Sequence, residues 1–154
     1  MDVYDPDIAP DPDAWLAMDQ SARTALVDIA HDGRFPDALH NAQANRIMHA
    51  SLHQIVETQN ATNDPPQVRA ALERLTGEGL KRHAAVHAVM QELARHLASL
   101  GDGAPFGKGE YGDRLDRLSA ADALGTALQQ MGRRDPAPMN RAQRRAAKRK
   151  KRRP

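Results

Sequence analysis

No cysteine occurs anywhere in the 154 residues. That one absence excludes disulfides, thiolate zinc sites, iron–sulfur clusters and thiol nucleophiles. Aromatic side chains make up only 3% of the chain, while apolar residues reach 40%. A core therefore has to be assembled from Leu, Val, Ile, Met and Ala. β-Branched residues are thin and alanine is abundant, which favours helix over strand. No segment alternates with period two, so no sheet is expected. No run approaches the roughly 18 to 20 apolar residues that span a bilayer, and no membrane partner is expected. The opening MDVYDPDIAPDPD is acidic and proline-punctuated, the opposite of a cationic, apolar-cored export signal. A cytoplasmic location is the expectation.

What is present divides sharply by charge. Residues 1–132 carry 19 Asp/Glu against 11 Lys/Arg, a balance of −8, whereas residues 133–154 carry 11 Lys/Arg against Asp135 alone, a balance of +10. Three parts follow: an extended acidic arm over 1–11, a helical domain over 12–132, and a disordered polybasic tail over 133–154. Asp11-Pro12 is a cap followed by a first-turn proline. From there Trp15, Leu16, Met18, Ala22, Leu26, Ile29 and Ala30 recur at helical spacing up to Asp32-Gly33. A second helix is expected from about Ala38 to Asn60, with Ile47, Met48, Leu52, Ile55 and Val56 on its buried side. Asn63-Asp64-Pro65-Pro66 opens a short helix that ends at Gly77 and Gly79. The clearest helix runs from Leu80 to Leu100 on Val86, Val89, Met90, Leu93, Leu97 and Leu100. Leu115, Leu118, Leu124, Leu128 and Met131 mark one more, or two broken near Ser119. The expected fold is all-α, a compact bundle of five or six helices; no heptad runs far enough for a coiled coil.

Histidine carries the most chemical information. His49 and His53 stand four apart with Glu57 four further on, and His83 and His87 are also four apart. Residues at i and i+4 share a helix face, so each pair presents two imidazoles to one cation. Turning by about 100° per residue places both pairs beside, not at the centre of, their apolar stripes. Antiparallel packing of the two helices makes the four rings converge; parallel packing separates them. The chemistry implied is a zinc, iron or manganese site on His49, His53, His83 and His87, with Glu57 as a further ligand or a supporting partner. The competing reading makes them amphipathic residues bonded to backbone or to charged neighbours. His31, His40 and His96 read as loop, surface or rim residues. A zinc hydrolase of the H-E-x-x-H type is excluded, because Ala84 stands where its general-base glutamate belongs.

Three segments resemble a bacterial family known as an uncharacterised domain: WLAMDQSARTALVDIAH (15–31), HASLHQIVETQ (49–59) and RLTGEGLKRHAAVHAV (74–89). Its members carry H-x-x-x-H-x-x-x-E-x-Q followed by R-L-x-x-E-G-L-x-R-H-E-A-I-H. The resemblance spans about residues 4–130 and implies a polar signature of His49, His53, Glu57, Gln59, Arg82, His83 and His87. This chain departs from it at Ala84, where Glu is expected, and at Lys81, where a capping Ser or Asp is expected. Some relatives append a cysteine-rich zinc module that is absent here. The resemblance brings no established reaction with it.

The loop GDGAPFGKG (101–109) is not a phosphate loop. Asp102 and Gly109 replace the required Gly and hydroxyl, and a helix rather than a strand precedes it. The tail is the other signal. Arg141, Arg144, Arg145, Lys148, Arg149, Lys150, Lys151, Arg152 and Arg153 supply dense positive charge without aromatics. Such a segment engages polyanions through counterion release, with little base discrimination; the specific reading is RNA or the ribosome as partner, and the competing one is a solubilising tail that touches any polyanion, including an acidic protein or the chain's own acidic arm. The sequence thus points to a non-catalytic accessory protein with one transition-metal ion and an RNA-directed tail. Two alternatives stand beside it: a metal-dependent enzyme with an open coordination position, and an interaction module whose histidines are structural.

Overall fold

The computed structural model describes residues 3–31, 46–101 and 108–132. They form seven helices and no strand: α1 (Pro12–Leu16), α2 (Gln20–His31), α3 (Arg46–Thr62), α4 (Pro66–Gly77), α5 (Arg82–Gly101), α6 (Lys108–Arg117) and α7 (Ala120–Gly132). No described helix is long and apolar enough to cross a membrane. The nine tail residues from Arg141 to Arg153, His40 and the phosphate-loop-like stretch 102–107 lie outside the described residues.

The helix count reaches seven because the first expected helix breaks at a cap and the last is divided near Ser119, the alternative that the sequence left open. The first is interrupted after Leu16, where Asp19 accepts hydrogen bonds from the backbone N–H of Ala22 (2.8 Å) and from the Ser21 hydroxyl (2.6 Å). An acidic side chain that satisfies the free N–H groups of a first turn starts a new helix. The last expected helix divides at Ser119, whose Oγ accepts from the Asp122 N–H (3.2 Å). Glu78 adds a second acceptor there, on the Ala120 N–H at 2.6 Å. Between α4 and α5 the chain turns through Gly79 at φ +100°. Leu80 N–H bonds back to Leu75 O (3.1 Å) and Gly79 N–H to Thr76 O (3.0 Å). This crossed pair of bonds ends α4 and requires the left-handed conformation that glycine adopts without strain.

α5 is the central helix, packed against α3, α4, α6 and α7. On one side, Val68, Leu72 and Leu75 of α4, Val86 and Val89 of α5, and Tyr111 and Leu115 of α6 form an apolar core. A smaller cluster, Tyr4, Trp15, Val27, Ala30 and Ala50, joins the arm, α1 and α2 to α3. Tyr4 of the acidic arm packs into this cluster. Tyr4 is 2% exposed, and Trp15 donates its indole N–H to Thr58 Oγ1 at 3.1 Å.

The buried face of α3 differs from the expected one. Ile47 and Met48 are 70% and 61% exposed, and the fully enclosed positions include His53, Val56 and Glu57. The helix turns its histidines inward and its first large apolar residues outward. α3 and α5 run antiparallel at this point: the His49 ring lies 5.0 Å from that of His87, the His53 ring 5.5 Å from that of His83, and Glu57 bonds Arg82. Like flanks therefore meet, and the seam between α3 and α5 is filled by imidazoles.

Candidate metal centre

Five histidines occupy that seam. His53, His83 and His87 are buried, and the end of α2 adds His31. One ring nitrogen from each of His31, His53, His83 and His87 lies within 4.8 Å of the other three. His49 contributes a fifth ring, with centroids 4.9 Å from His31 and 5.9 Å from His53, but its nitrogens fall outside the group of four. The reading of His31 as a loop or rim residue is thus corrected. It is the last residue of α2, and the packing of α2 on α3 carries it into the cluster. Only its position at a helix end is visible in the chain itself, and that is no signal of a ligand.

Two tautomers follow from the hydrogen bonds. Tyr4 Oη donates to Glu57 Oε1 at 2.5 Å and lies 3.2 Å from His53 Nδ1. A phenol has one proton, and here it is spent on the carboxylate, so Nδ1–H of His53 must donate to Oη and Nε2 must keep the lone pair. His31 Nδ1 lies 2.6 Å from Val27 O. A carbonyl only accepts, so Nδ1 carries the proton and Nε2 is again the lone-pair nitrogen. That Nε2 stands 3.0 Å from His83 Nε2. Two nitrogens sharing a tetrahedral zinc at about 2.0–2.1 Å stand about 3.3 Å apart, so the spacing suits joint ligation after a small adjustment.

Burial disfavours the charged form of His53 and His31. Burial, reinforced by the neighbouring imidazoles, pushes the His53 pKa well below 6.5. Burial also lowers that of His31, against the opposing pull of the Val27 carbonyl and Asp28. Neutral imidazole is the form that binds a metal ion. Among the described residues, Nε2 of His53 is buried without a hydrogen-bond partner, although the residue is 0% exposed. An unsatisfied buried acceptor costs about 1–3 kcal/mol.

Glu57 is placed as a supporting group. Its Oε1 accepts from Arg82 Nη1 (2.8 Å) and from Tyr4, and its Oε2 accepts from Arg82 Nη2 (2.6 Å). With both oxygens engaged it stands behind His53. Burial opposes the Arg82 charge, but the hydrogen bonds and charge of Glu57 outweigh it and the guanidinium pKa is raised. Burial and the Glu57 charge likewise raise the Tyr4 pKa, so the phenol keeps its proton. The chain of groups runs Arg82–Glu57–Tyr4–His53. A metal-ligating histidine oriented through its other nitrogen has this form, with a tyrosine inserted before the carboxylate. Tyr4 was missed in the sequence because an aromatic between prolines and aspartates carries no periodic signal. The arm is tied down at two further points: Pro6 O accepts from Arg82 Nη1 (2.9 Å) and Asp7 Oδ1 from the His83 backbone N–H (3.3 Å).

Gln59 belongs elsewhere. It accepts from the Tyr111 hydroxyl at 3.2 Å, in a second polar network where His96 stacks on Tyr111 with ring centres 5.6 Å apart. Glu92 bonds Arg95 and lies 3.6 Å from Arg114 there. His96, expected at the rim, is 4% exposed.

Fold and site together define a class, an all-helical domain with a carboxylate-backed imidazole cluster in its central seam. Residues 28–116 match a family described as a domain of unknown function (DUF1841), and the chain belongs to it. The matched span includes all five clustered histidines, Glu57 and Arg82, and excludes Tyr4. No curated protein and no solved structure matches the chain.

Proposed function

We propose that this domain binds one transition-metal ion through His31, His53, His83 and His87, with Glu57, Arg82 and Tyr4 orienting His53. The observation that carries the reading is the fully buried His53 Nε2. Its lone pair is held by the Tyr4–Glu57 chain, it has no hydrogen-bond partner among the described residues, and three other imidazole nitrogens stand within 4.8 Å. A shared cation satisfies what is otherwise an unfavourable arrangement. The donor set is imidazole without thiolate or ligating carboxylate, which suits zinc or iron better than manganese. The proposal assigns no reaction.

Elemental analysis of the natively purified full-length protein tests this. About one metal ion per chain is expected, and the double variant His83→Ala/His87→Ala should contain none. Metal at 1,000 times its dissociation constant should stabilise the wild type by about 4 kcal/mol, and the double variant should lose that gain. Absence of stoichiometric metal, with none taken up from micromolar zinc or iron, would return the histidines to a structural role in an interaction module.

The charge partition favours a second function. We infer that the tail, through Arg144, Arg145, Arg149, Arg152 and their neighbours, engages RNA or the ribosome, while the −8 balance of residues 1–132 repels phosphate. Removal of 133–154 should abolish binding to generic RNA. Binding by the full chain should weaken with salt, with a slope of about 0.7 per neutralised phosphate on single strands. RNA binding retained by residues 1–132 would refute this.

A further inference from the structure

The first turn of α5 has no side-chain cap of its own. Lys81 stands at the cap position, because its carbonyl accepts the first bond of the helix, from the Ala85 N–H at 3.0 Å. A lysine side chain carries only donors and cannot satisfy the free N–H groups that follow it. The acceptor arrives from 76 residues away: Asp7 Oδ1 takes the His83 N–H at 3.3 Å, two positions past the cap, where an N-cap carboxylate ordinarily bonds. A turn at Asp5 presents Asp7 for this. Asp5 O accepts the Ile8 N–H (3.1 Å) and Asp5 Oδ1 accepts the Asp7 N–H (3.0 Å). The neighbouring Tyr4 and Pro6 are buried, while Asp7 itself is exposed. The arm thus touches both helices that carry the buried histidines. Tyr4 bonds His53 and Glu57 on α3; Pro6 O bonds Arg82 and Asp7 bonds the His83 N–H on α5. Each tether ends on a residue of the histidine cluster or on the Arg82–Glu57 pair behind it.

We propose that residues 3–8 are a metal-linked strap, with Asp7 as a positioning residue in it: the docked arm tightens the metal site, and a bound ion tightens the arm. This rests on the metal-binding reading above and adds a regulatory element to it. An ion on Nε2 of His53 draws electron density from the ring and makes its Nδ1–H a stronger donor to Tyr4. An ion on His83 steadies the turn whose N–H Asp7 accepts, and its charge adds to the pull of the helix N-terminus on the arm's carboxylates. Coupling between two binding events is reciprocal. The factor by which docking raises metal affinity therefore equals the factor by which metal suppresses arm opening. Contacts that orient a ligand are worth about 10- to 100-fold, which sets the size expected here. Docking of the arm then reports whether the site is filled, and drawing the arm away loosens the hold on the ion.

Amide hydrogen exchange of the full-length chain, with and without zinc, tests the coupling at the peptide covering residues 1–11. Zinc should slow exchange there by about 10- to 100-fold, and the slowing should level off once the site is filled, because the open and docked arm both hold the ion. Asp7→Ala should still take up one zinc, bind it about two- to fivefold more weakly, and show a smaller slowing in the arm. Adding Lys81→Asp to that variant returns a cap to α5 from its own chain position. It should restore zinc affinity without restoring the slowing. Equal arm exchange with and without zinc, in protein shown to contain one zinc per chain, would overturn the strap and leave the four-histidine site standing. Slowing that keeps growing with excess zinc would overturn it too, since that marks exchange through unfolding of the whole domain. Unchanged affinity and unchanged slowing in Asp7→Ala would overturn the role of Asp7. Failure to bind zinc or iron at all would remove the metal reading and this inference with it.

Discussion

α5 makes two seams of opposite character. Against α4 it meets Val68, Leu72 and Leu75 with Val86 and Val89, all buried and all hydrocarbon. Against α3 it meets His53 and Glu57 with Arg82, His83 and His87, where the buried groups are titratable or polar. Apolar burial contributes about 25 cal/mol per Å² whatever the orientation of the side chains. Buried polar groups contribute only if each finds a partner, so the second seam needs specific geometry. The Arg82–Glu57–Tyr4 chain supplies that geometry on one side of His53, leaving Nε2 as the unsatisfied atom. The comparison teaches that the α4 seam holds the fold together, while the α3 seam spends stability to keep lone pairs in one place.

Three substitutions and one truncation test that contrast. Arg82→Ala should have the largest effect, because it strands the fully buried Glu57 carboxylate; the expected loss is about 3–5 kcal/mol, read by urea unfolding of metal-free protein. A loss below about 1 kcal/mol would mean that the pair is not holding the seam. Leu75→Ala should cost about 2–5 kcal/mol through the cavity it leaves. Its metal content per folded molecule should stay that of the wild type, and metal loss in the folded fraction would show the seams to be coupled. Tyr4→Phe deletes one hydroxyl and should cost about 1 kcal/mol, yet weaken metal binding about 10- to 100-fold, the usual range for a group that orients a ligand. Equal affinities by competition titration would count against the tautomer argument. Smallest of all, truncation after residue 132 should leave the melting temperature nearly unchanged, since no apolar periodicity continues beyond Met131.

Much of the fold is readable in the chain, and the reasons are local. Asp11-Pro12, Gly79 and the Val86–Leu93 stripe mark helix ends and a buried face by rules that act within a few residues. Where those rules misplace something, a non-local contact has overridden them. The face of α3 is the clearest case. Ile47 and Met48 satisfy the periodicity of an inward stripe, yet lie 70% and 61% exposed, because the helix is rotated to aim His53 and Glu57 at Arg82.

Composition and spacing alone fix that the domain is helical, that it lacks any thiolate site, and that His49 with His53 and His83 with His87 share helix faces. The shared face of residues at i and i+4 follows from the hydrogen-bonded pitch of a single helix and needs nothing from the rest of the molecule. Only the tertiary structure decided that α3 and α5 run antiparallel with those faces opposed, that His31 arrives from α2, and that Tyr4 arrives from the first residues to fix the tautomer of His53. Those contacts join residues 25 to 53 positions apart. They are selected by how several amphipathic surfaces pack at once, a global balance that no local spacing encodes.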